Sequence, residues 1–149
     1  MPISALRMQA RGYGMARRSS SLGFLGRFGR SADLRMLDEA LRLFDLHPAR
    51  VPDGAKLAIV NLMKDHDPSG EPPEHAYPMV AHLVAYCALG RDIFAGANGV
   101  QPADDAEKRI EAALEAEESF DAQLVLLTIH AKLIHPAVVD QYDLSAAQG

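Results

Sequence analysis

The sequence has little of what holds many small proteins together. Cys87 is its single cysteine, which excludes an internal disulfide and a cysteine-based zinc cluster. Tryptophan is missing, and there are only four tyrosines and five phenylalanines. Valine and isoleucine are too scattered to form a series of strands, and no hairpin turn has alternating residues on both sides. The sequence therefore predicts an all-α protein whose alanine-rich helices pack closely.

Long apolar runs are also missing. No stretch approaches the roughly 20 apolar residues of a membrane-spanning helix. The N-terminus lacks the continuous apolar core of about 7–15 residues that a secretory signal requires. Together with the single cysteine, this favours a cytoplasmic location. The arginine-rich, acid-free start also has the composition of an organelle transit peptide, which is the alternative for a eukaryotic source. Met8 and Met15 are alternative start sites.

Acidic residues are missing from the first part of the chain. Residues 1–32 contain no acid and no lysine, but they contain six arginines: Arg7, Arg11, Arg17, Arg18, Arg27 and Arg30. Residues 33–149 contain all 20 acids and nine basic residues, a net charge of −11. The charge pattern predicts a basic, Gly/Ser/Arg-rich N-terminal arm over 1–32 and a single acidic domain over 33–149.

The composition of this arm is compatible with several partners. Phe24 and Phe28 alternate with Arg27 and Arg30, a mixture that stacks on bases and follows phosphates. The same mixture inserts into anionic lipid surfaces. A third interpretation is a leader whose apolar residues pack onto the domain, because chain termini are usually loose or simply docked. The sequence leaves these three alternatives open.

Apolar periodicity in residues 33–149 predicts an irregular bundle of five main helices and a short last helix. The predicted helices start after Ser31 or Asp33 (running to about Leu46), at Pro52, near Pro78, at Pro102, after Ser119 and at Pro136. Within the fifth helix, the run Leu124–Ile134 is apolar almost all round, so it is predicted to be the central helix. The histidine at 130 is expected to be a hydrogen-bonded core residue in that run, and Arg109 is expected to pair with Asp105 one turn away.

A polar loop separates the second and third predicted helices. Asp65, Asp67, Ser69 and Gly70 occupy positions 1, 3, 5 and 6 of a twelve-residue calcium loop, so the segment resembles the first half of an EF-hand. The second half departs from that pattern, since position 12 is Ala76 where the glutamate ligand should stand. The first half of the pattern makes calcium the one cofactor that the sequence suggests, with Asp65, Asp67 and Ser69 as ligands. The alternative is a polar connector whose acids cap turns.

A ridge of glutamates is the other predicted surface feature. Glu107, Glu111, Glu115 and Glu118 follow helical spacing, and Glu111 and Glu115 have no basic residue four positions later. Most such ridges are solvated faces. The alternative is that Glu111 and Glu115 receive a basic partner, either the N-terminal arm or another protein.

Catalytic motifs are missing from the sequence. It has no phosphate-binding Gly-x-x-x-x-Gly-Lys loop, no dinucleotide fingerprint, no Gly-x-Ser-x-Gly elbow and no His-Glu-x-x-His pair. Cys87 lies on the predicted inner face of the third helix, which favours a buried, inert thiol over a nucleophile. The favoured hypothesis is a non-enzymatic interaction or regulatory domain whose arm contacts a protein partner or a neighbouring subunit. A nucleic-acid or anionic-membrane adaptor is the first alternative, and a calcium-responsive helix-loop-helix is the second.

Overall fold

The computed structural model describes residues 23–144 and gives side-chain positions over 32–144. This part of the chain is all-helical and contains no strand, so the predicted fold class is confirmed. The seven α-helices are α1 (Gly23–Leu43), α2 (Asp53–His66), α3 (Ala76–Leu89), α4 (Arg91–Asn98), α5 (Val100–Glu115), α6 (Phe120–His130) and α7 (Pro136–Tyr142). A short 3-10 helix, Pro48–Arg50, joins α1 to α2. None of these helices combines the length and apolar character needed to cross a bilayer.

The central helix is α3, not the predicted run Leu124–Ile134. Ten of the 14 residues of α3 are buried, and the helix packs against α1, α4, α5 and α6. Its sequence contains no Asp, Glu, Lys or Arg, so every face can be covered by apolar neighbours. In contrast, α6 ends at His130 and buries only Leu124, Val125 and Thr128. Lys132 then adopts a left-handed conformation (φ 57°), which ends the helical run.

Helix α1 begins earlier than the sequence predicts. It starts at Gly23 and not after Ser31 or Asp33, so the boundary drawn at residue 32 falls inside this helix. It ends at Leu43, and Asp45 reverses the chain in a left-handed conformation (φ 67°). The predicted apolar face is present, with Leu37 and Leu41 fully buried.

One end of the bundle is fixed by a polar contact among three helices. Asp33 of α1 accepts a hydrogen bond from the Tyr77 hydroxyl of α3 (3.0 Å) and pairs with Lys64 of α2 (2.8 Å). Burial, together with the hydrogen bond to Asp33 and the nearby charge of Glu71, raises the pKa of Tyr77 above its usual range. The tyrosine hydroxyl therefore stays protonated as the donor, and the start of α3 is held against α1.

The other end of α3 closes against the start of α7. Gly90 ends α3 at φ 84°, and a Cβ at this position would lie 3.2 Å from Cγ of His135. The His135 amide donates to the carbonyl of Cys87 (2.7 Å), and its Nδ1 accepts from the amide of Ala137 at the start of α7 (2.9 Å). His47 caps the 3-10 helix in the same way. His47 and His135, each followed by a proline, are therefore both helix-end residues.

Candidate functional site

Arg109 of α5 is the centre of a polar cluster that joins three helices. Its Nε and Nη2 donate to the two carboxylate oxygens of Asp121 on α6, at 2.9 and 2.8 Å. Its Nη1 donates to the Met79 carbonyl at 2.7 Å and contacts Nδ1 of His82 at 3.0 Å, both on α3. The predicted local pair of Arg109 with Asp105 is wrong, since Asp105 instead accepts a hydrogen bond from Gln101. A bidentate partner with matching planar geometry outcompetes a carboxylate on the same helix.

The hydrogen bonds of His82 determine which ring nitrogen carries the proton. Nε2 lies 2.8 Å from the Pro102 carbonyl, and a carbonyl oxygen only accepts, so Nε2 is the donor. Nδ1 then accepts from the Arg109 guanidinium, which has only donors. The ring also contacts the rings of Phe44 and Phe94, with centroids 5.5 and 5.8 Å away. His82 thus connects α3 to α5, to Phe94 of α4 and to Phe44, the residue after α1.

A cavity of about 370 Å³ lies beside this cluster, between the end of α2, the loop that follows it, and the starts of α3 and α6. Its apolar walls come from Met63, Pro72, Ala76, Met79, Val80 and Phe120. The Arg109–Asp121 pair forms one polar side, and His66 and Asp67 form another. The cavity is mainly apolar with a few charged groups at its edge, and its volume is at the small end of the range of ligand pockets in proteins.

His66 shapes the mouth of this cavity. Its ring packs edge-on against Phe120, with centroids 5.2 Å apart, and its Nε2 lies 3.3 Å from Oε1 of Gln123. These contacts connect the last turn of α2 to the first turn of α6. The mouth is therefore bounded by two helix ends as well as by the loop.

A second polar cluster surrounds Glu107 on α5. The Tyr86 hydroxyl of α3 and the Gln141 amide of α7 donate to its Oε2, and Arg91 of α4 pairs with its Oε1 at 3.0 Å. Arg91 also pairs with Asp104 at 3.0 Å. One carboxylate of the predicted glutamate ridge is thus bound to three other helices.

The environment of Glu107 changes the acidity of two groups. Burial raises the pKa of Glu107, but the hydrogen bonds from Tyr86, Arg91 and Gln141 outweigh it and lower the pKa below its ordinary value. Burial and the bond to Glu107 raise the pKa of Tyr86 above its usual range. The cluster therefore holds a carboxylate and a neutral phenol, the arrangement that a stable donor–acceptor pair requires.

The predicted partner-binding residues are distributed over two regions. Arg7, Arg11, Arg17 and Arg18 lie outside the described residues, and Arg27 and Arg30 are in α1, upstream of the described side chains. Glu111 and Glu115 lie exposed on α5, and neither carboxylate makes a hydrogen bond or ion pair within residues 32–144. Glu118 follows the end of α5 at Glu115, so the ridge on that helix consists of Glu107, Glu111 and Glu115.

The predicted calcium loop forms a turn stabilised by its own side chains. Asp67 Oδ1 accepts from the amide and the hydroxyl of Ser69, at 2.9 and 2.6 Å, and these bonds lower the pKa of Asp67. The Ser69 hydroxyl in turn accepts from the Glu71 amide at 3.1 Å. Across the described side chains, no group of three or more His, Cys, Asp or Glu residues is arranged to hold a metal ion. Calcium binding by Asp65, Asp67 and Ser69 stays a prediction, and the observed contacts are those of an Asx turn.

Cys87 and His130 are the two remaining residues with reactive or ligating side chains in the predicted core. Cys87 is fully buried as predicted, and burial raises the pKa of its thiol to about 12. The prediction that His130 is a core residue is wrong, because α6 ends there and leaves the ring exposed. Neither residue therefore resembles a nucleophile or a buried ligand.

His82 and the Arg109–Asp121 pair are the site residues that sequence reasoning missed. A signal was present for His82, since a ring inside a helix without charged residues needs a polar partner from elsewhere. For Arg109, the signal was an acid in the first turn of the following helix, across the short turn that joins α5 to α6. Helical spacing within α5 gave a nearer but incorrect partner.

Comparisons of the chain with protein-family models, curated proteins and solved structures each found no match.

Proposed function

We propose that this protein is a non-enzymatic helical interaction or regulatory domain whose acidic surface receives a basic segment of a partner or of a neighbouring subunit. The supporting observation is the pair Glu111 and Glu115. They lie one turn apart and exposed on α5, and neither is in an ion pair within the part of the chain that has described side chains. Like charges at this spacing are mildly unfavourable on an isolated helix, and a bound cation would relieve the repulsion.

The polar clusters support interaction over catalysis. Arg109, His82 and Asp121 use their hydrogen-bonding groups on one another and on backbone carbonyls, and Glu107 is bound to three helices. A catalytic group needs access to the reacting atoms of a substrate. These side chains instead hold the helices in place, and the exposed carboxylates are left for association.

The basic segment has a counterpart in this chain. Residues 1–32 contain six arginines and no acid, so the arm of one molecule is complementary to the acidic surface of another. We infer that the arm is the contacting element, toward either a second copy or a different acidic protein. Association of this type depends on salt, because both surfaces are solvated.

The test uses a fluorescent synthetic peptide of residues 1–32, titrated into the full chain at low and at physiological salt. The double variant Glu111→Gln/Glu115→Gln is expected to bind the peptide about 3–10-fold more weakly, as two exposed ion pairs allow. The matched control is Glu117→Gln/Glu118→Gln, which removes two exposed carboxylates from the turn after α5. Equal weakening in both variants, or none in either, would overturn the ridge as the docking surface.

The same peptide separates this function from the adaptor hypothesis. It is titrated in parallel with single-stranded oligonucleotides and with vesicles containing anionic lipid. The adaptor hypothesis would replace the protein-interaction proposal under two conditions. The peptide would bind the oligonucleotides or the vesicles more tightly than it binds the full chain, and the full chain would also bind that same oligonucleotide or vesicle.

A further inference from the structure

The cavity beside the Arg109–Asp121 pair is a candidate docking site. Its volume of about 370 Å³ accommodates an apolar side chain, and its wall residue Met79 is 58% exposed. Methionine walls adapt to different side chains, because the thioether is flexible and polarisable. An apolar cavity that opens to solvent next to charged groups fits a segment that carries both apolar and charged residues.

The cavity lies at the end of the bundle where the N-terminal segment enters. Asp33 of α1 contacts Lys64 near the end of α2 and Tyr77 near the start of α3, and the cavity is built from these same two helix ends. Helix α1 extends from Asp33 back to Gly23, ten residues earlier, which is about 15 Å beyond this contact. Residues 1–22 are therefore attached at the cavity end and not at the α4 end.

The chain segment that passes beside the cavity is acidic. Between residues 65 and 74 the chain contains four acids and no lysine or arginine: Asp65, Asp67, Glu71 and Glu74. Asp67 lines the cavity itself, and the charge of Glu71 acts on Tyr77 near the start of α3. Residues 1–22 contain four arginines and no acid, so residues 65–74 and residues 1–22 have opposite charges.

Residues 1–22 also contain the matching apolar residues. Leu6 and Met8 flank Arg7, Tyr13 follows Arg11 by two positions, and Met15 lies two positions before Arg17. An apolar side chain placed in the cavity would thus bring a guanidinium toward the acidic residues 65–74. From Gly23 back to Met15 an extended chain spans up to about 26 Å, more than the roughly 15 Å of α1 between Gly23 and Asp33.

We propose that residues 1–22 of the same chain dock in this cavity, with an apolar side chain between Met63, Met79 and Phe120 and with arginines against the acids of residues 65–74. This inference rests on the proposed function in one respect, the arm being an interaction element, but it uses a different surface from Glu111 and Glu115. While residues 1–22 are docked they are withheld from a partner, so their release from the cavity would control when they are available.

Paramagnetic NMR tests this placement in the full chain. Cys87 is fully buried, so a nitroxide reagent modifies only an introduced cysteine. His75→Cys places the label next to Ala76, which lines the cavity, and His75 is exposed with no capping bond from its side chain at the start of α3. We expect strong broadening of the amide signals of residues 1–22. The control label, Ile93→Cys, lies beyond the far end of α3, about 20 Å away, and is expected to broaden them much less.

A charge placed on the cavity wall tests specificity. In the His75→Cys protein, Met79→Lys puts a cation in the apolar wall where the proposal places an apolar side chain, and we predict the loss of most of the broadening over 1–22. Ile93→Lys is the matched control, since Ile93 is 55% exposed and Met79 is 58% exposed. Broadening that survives Met79→Lys, or that disappears equally with Ile93→Lys, would overturn the cavity as the site.

Isotope mixing separates the occupants. A ¹⁵N-labelled chain without nitroxide is mixed with an unlabelled chain carrying the nitroxide at residue 75. Broadening over residues 1–22 in this mixture would assign the cavity to the arm of a second copy and overturn docking within one chain. Absence of broadening from the label at residue 75 in every sample would overturn this inference alone, since the peptide titration on Glu111 and Glu115 is an independent measurement. Retained broadening with no peptide binding would instead overturn only the proposed function.

Discussion

Arg109 and Asp121 form a two-point ion pair between α5 and α6, with Nε to Oδ2 at 2.9 Å and Nη2 to Oδ1 at 2.8 Å. The remaining nitrogen of the guanidinium reaches the Met79 carbonyl and the ring of His82 on α3. About a fifth to a quarter of each side chain is exposed, 21% for Arg109 and 26% for Asp121. One arginine therefore holds three helices at the edge of the cavity.

Replacing Arg109 by lysine is expected to destabilise the fold although the charge is kept. A single ammonium cannot bond both oxygens of Asp121 and also reach Met79 and His82, so we expect a loss of about 1–3 kcal/mol in the free energy of unfolding. Urea unfolding followed by circular dichroism measures it. The neighbouring Lys108 is exposed, and Lys108→Arg should leave the urea midpoint nearly unchanged. If Arg109→Lys also left the urea midpoint unchanged, the two-point ion pair of Arg109 with Asp121 would have no role in stability.

Two glycines near the α3–α4 junction should respond to alanine in opposite ways. Gly90 has φ 84°, and a Cβ there would lie 3.2 Å from His135 Cγ, so Gly90→Ala is expected to cost about 1–3 kcal/mol. Gly96 lies within α4, and a Cβ there would have open space within 4 Å, so Gly96→Ala is expected to stabilise by about 0.5–1 kcal/mol. Thermal unfolding of both variants measures the difference. A Gly90→Ala protein as stable as the Gly96→Ala protein would contradict the close packing of His135.

Stability should fall in acid partly through Glu107. Its pKa is lower in the folded protein than in the unfolded chain, so the unfolded state takes up a proton first as pH falls. The contribution of Glu107 is complete above the unfolded pKa and is lost as pH decreases through the folded pKa. We expect the free energy of unfolding to drop more steeply below about pH 5 in the native protein than in Glu107→Gln.

Glu111→Gln is the control for this pH dependence. Glu111 lies one turn further along α5 and is exposed. Its replacement should leave the acid limb of the stability profile as steep as in the native protein. If the free energy of unfolding changed in parallel for the native and Glu107→Gln proteins from pH 7 to about pH 3, the prediction would be wrong. The contacts of Glu107 with Tyr86, Arg91 and Gln141 would then not favour the charged carboxylate over the protonated one.

The single thiol should be unreactive in the folded state. Cys87 is fully buried in α3, and burial raises its pKa to about 12, so almost no accessible thiolate exists at neutral pH. A disulfide-exchange reagent should modify it only as fast as the protein unfolds, and at once in denaturant. The exposed cysteine of His75→Cys supplies the rapid reference in the same chain. Immediate modification of the native protein without denaturant would contradict the described packing of α3.

Local sequence patterns predicted much of the helical structure, and the exceptions share a cause. The last helix begins at Pro136 as predicted, because proline fixes its start. Helix α6, the fifth of the predicted helices, begins after Ser119, whose hydroxyl accepts a hydrogen bond from the Ala122 amide as an N-cap should. The start of α1 was misplaced because Ser31 is equally suited to a cap, and nothing local shows that the helix continues from Gly23.

The polar partners were predicted less well than the helices. Lys56 pairs with Asp38 from the neighbouring helix α1 at 3.0 Å, and its side chain is 10% exposed. Arg109 likewise takes Asp121 in place of Asp105. Spacing within one helix identifies which residues share a face, but it does not identify what the packed helices bring to that face.

The sequence by itself determined that this protein is helical, that its domain is acidic and that its thiol is buried, since these properties depend on composition, local periodicity and caps. Tertiary structure alone decided that α3 is the central helix, that Glu107 and Arg109 hold neighbouring helices, and that a cavity opens beside the acidic loop. These features depend on contacts between residues far apart in the chain. Such contacts are selected by the shape and charge of the assembled surfaces, which no single segment contains.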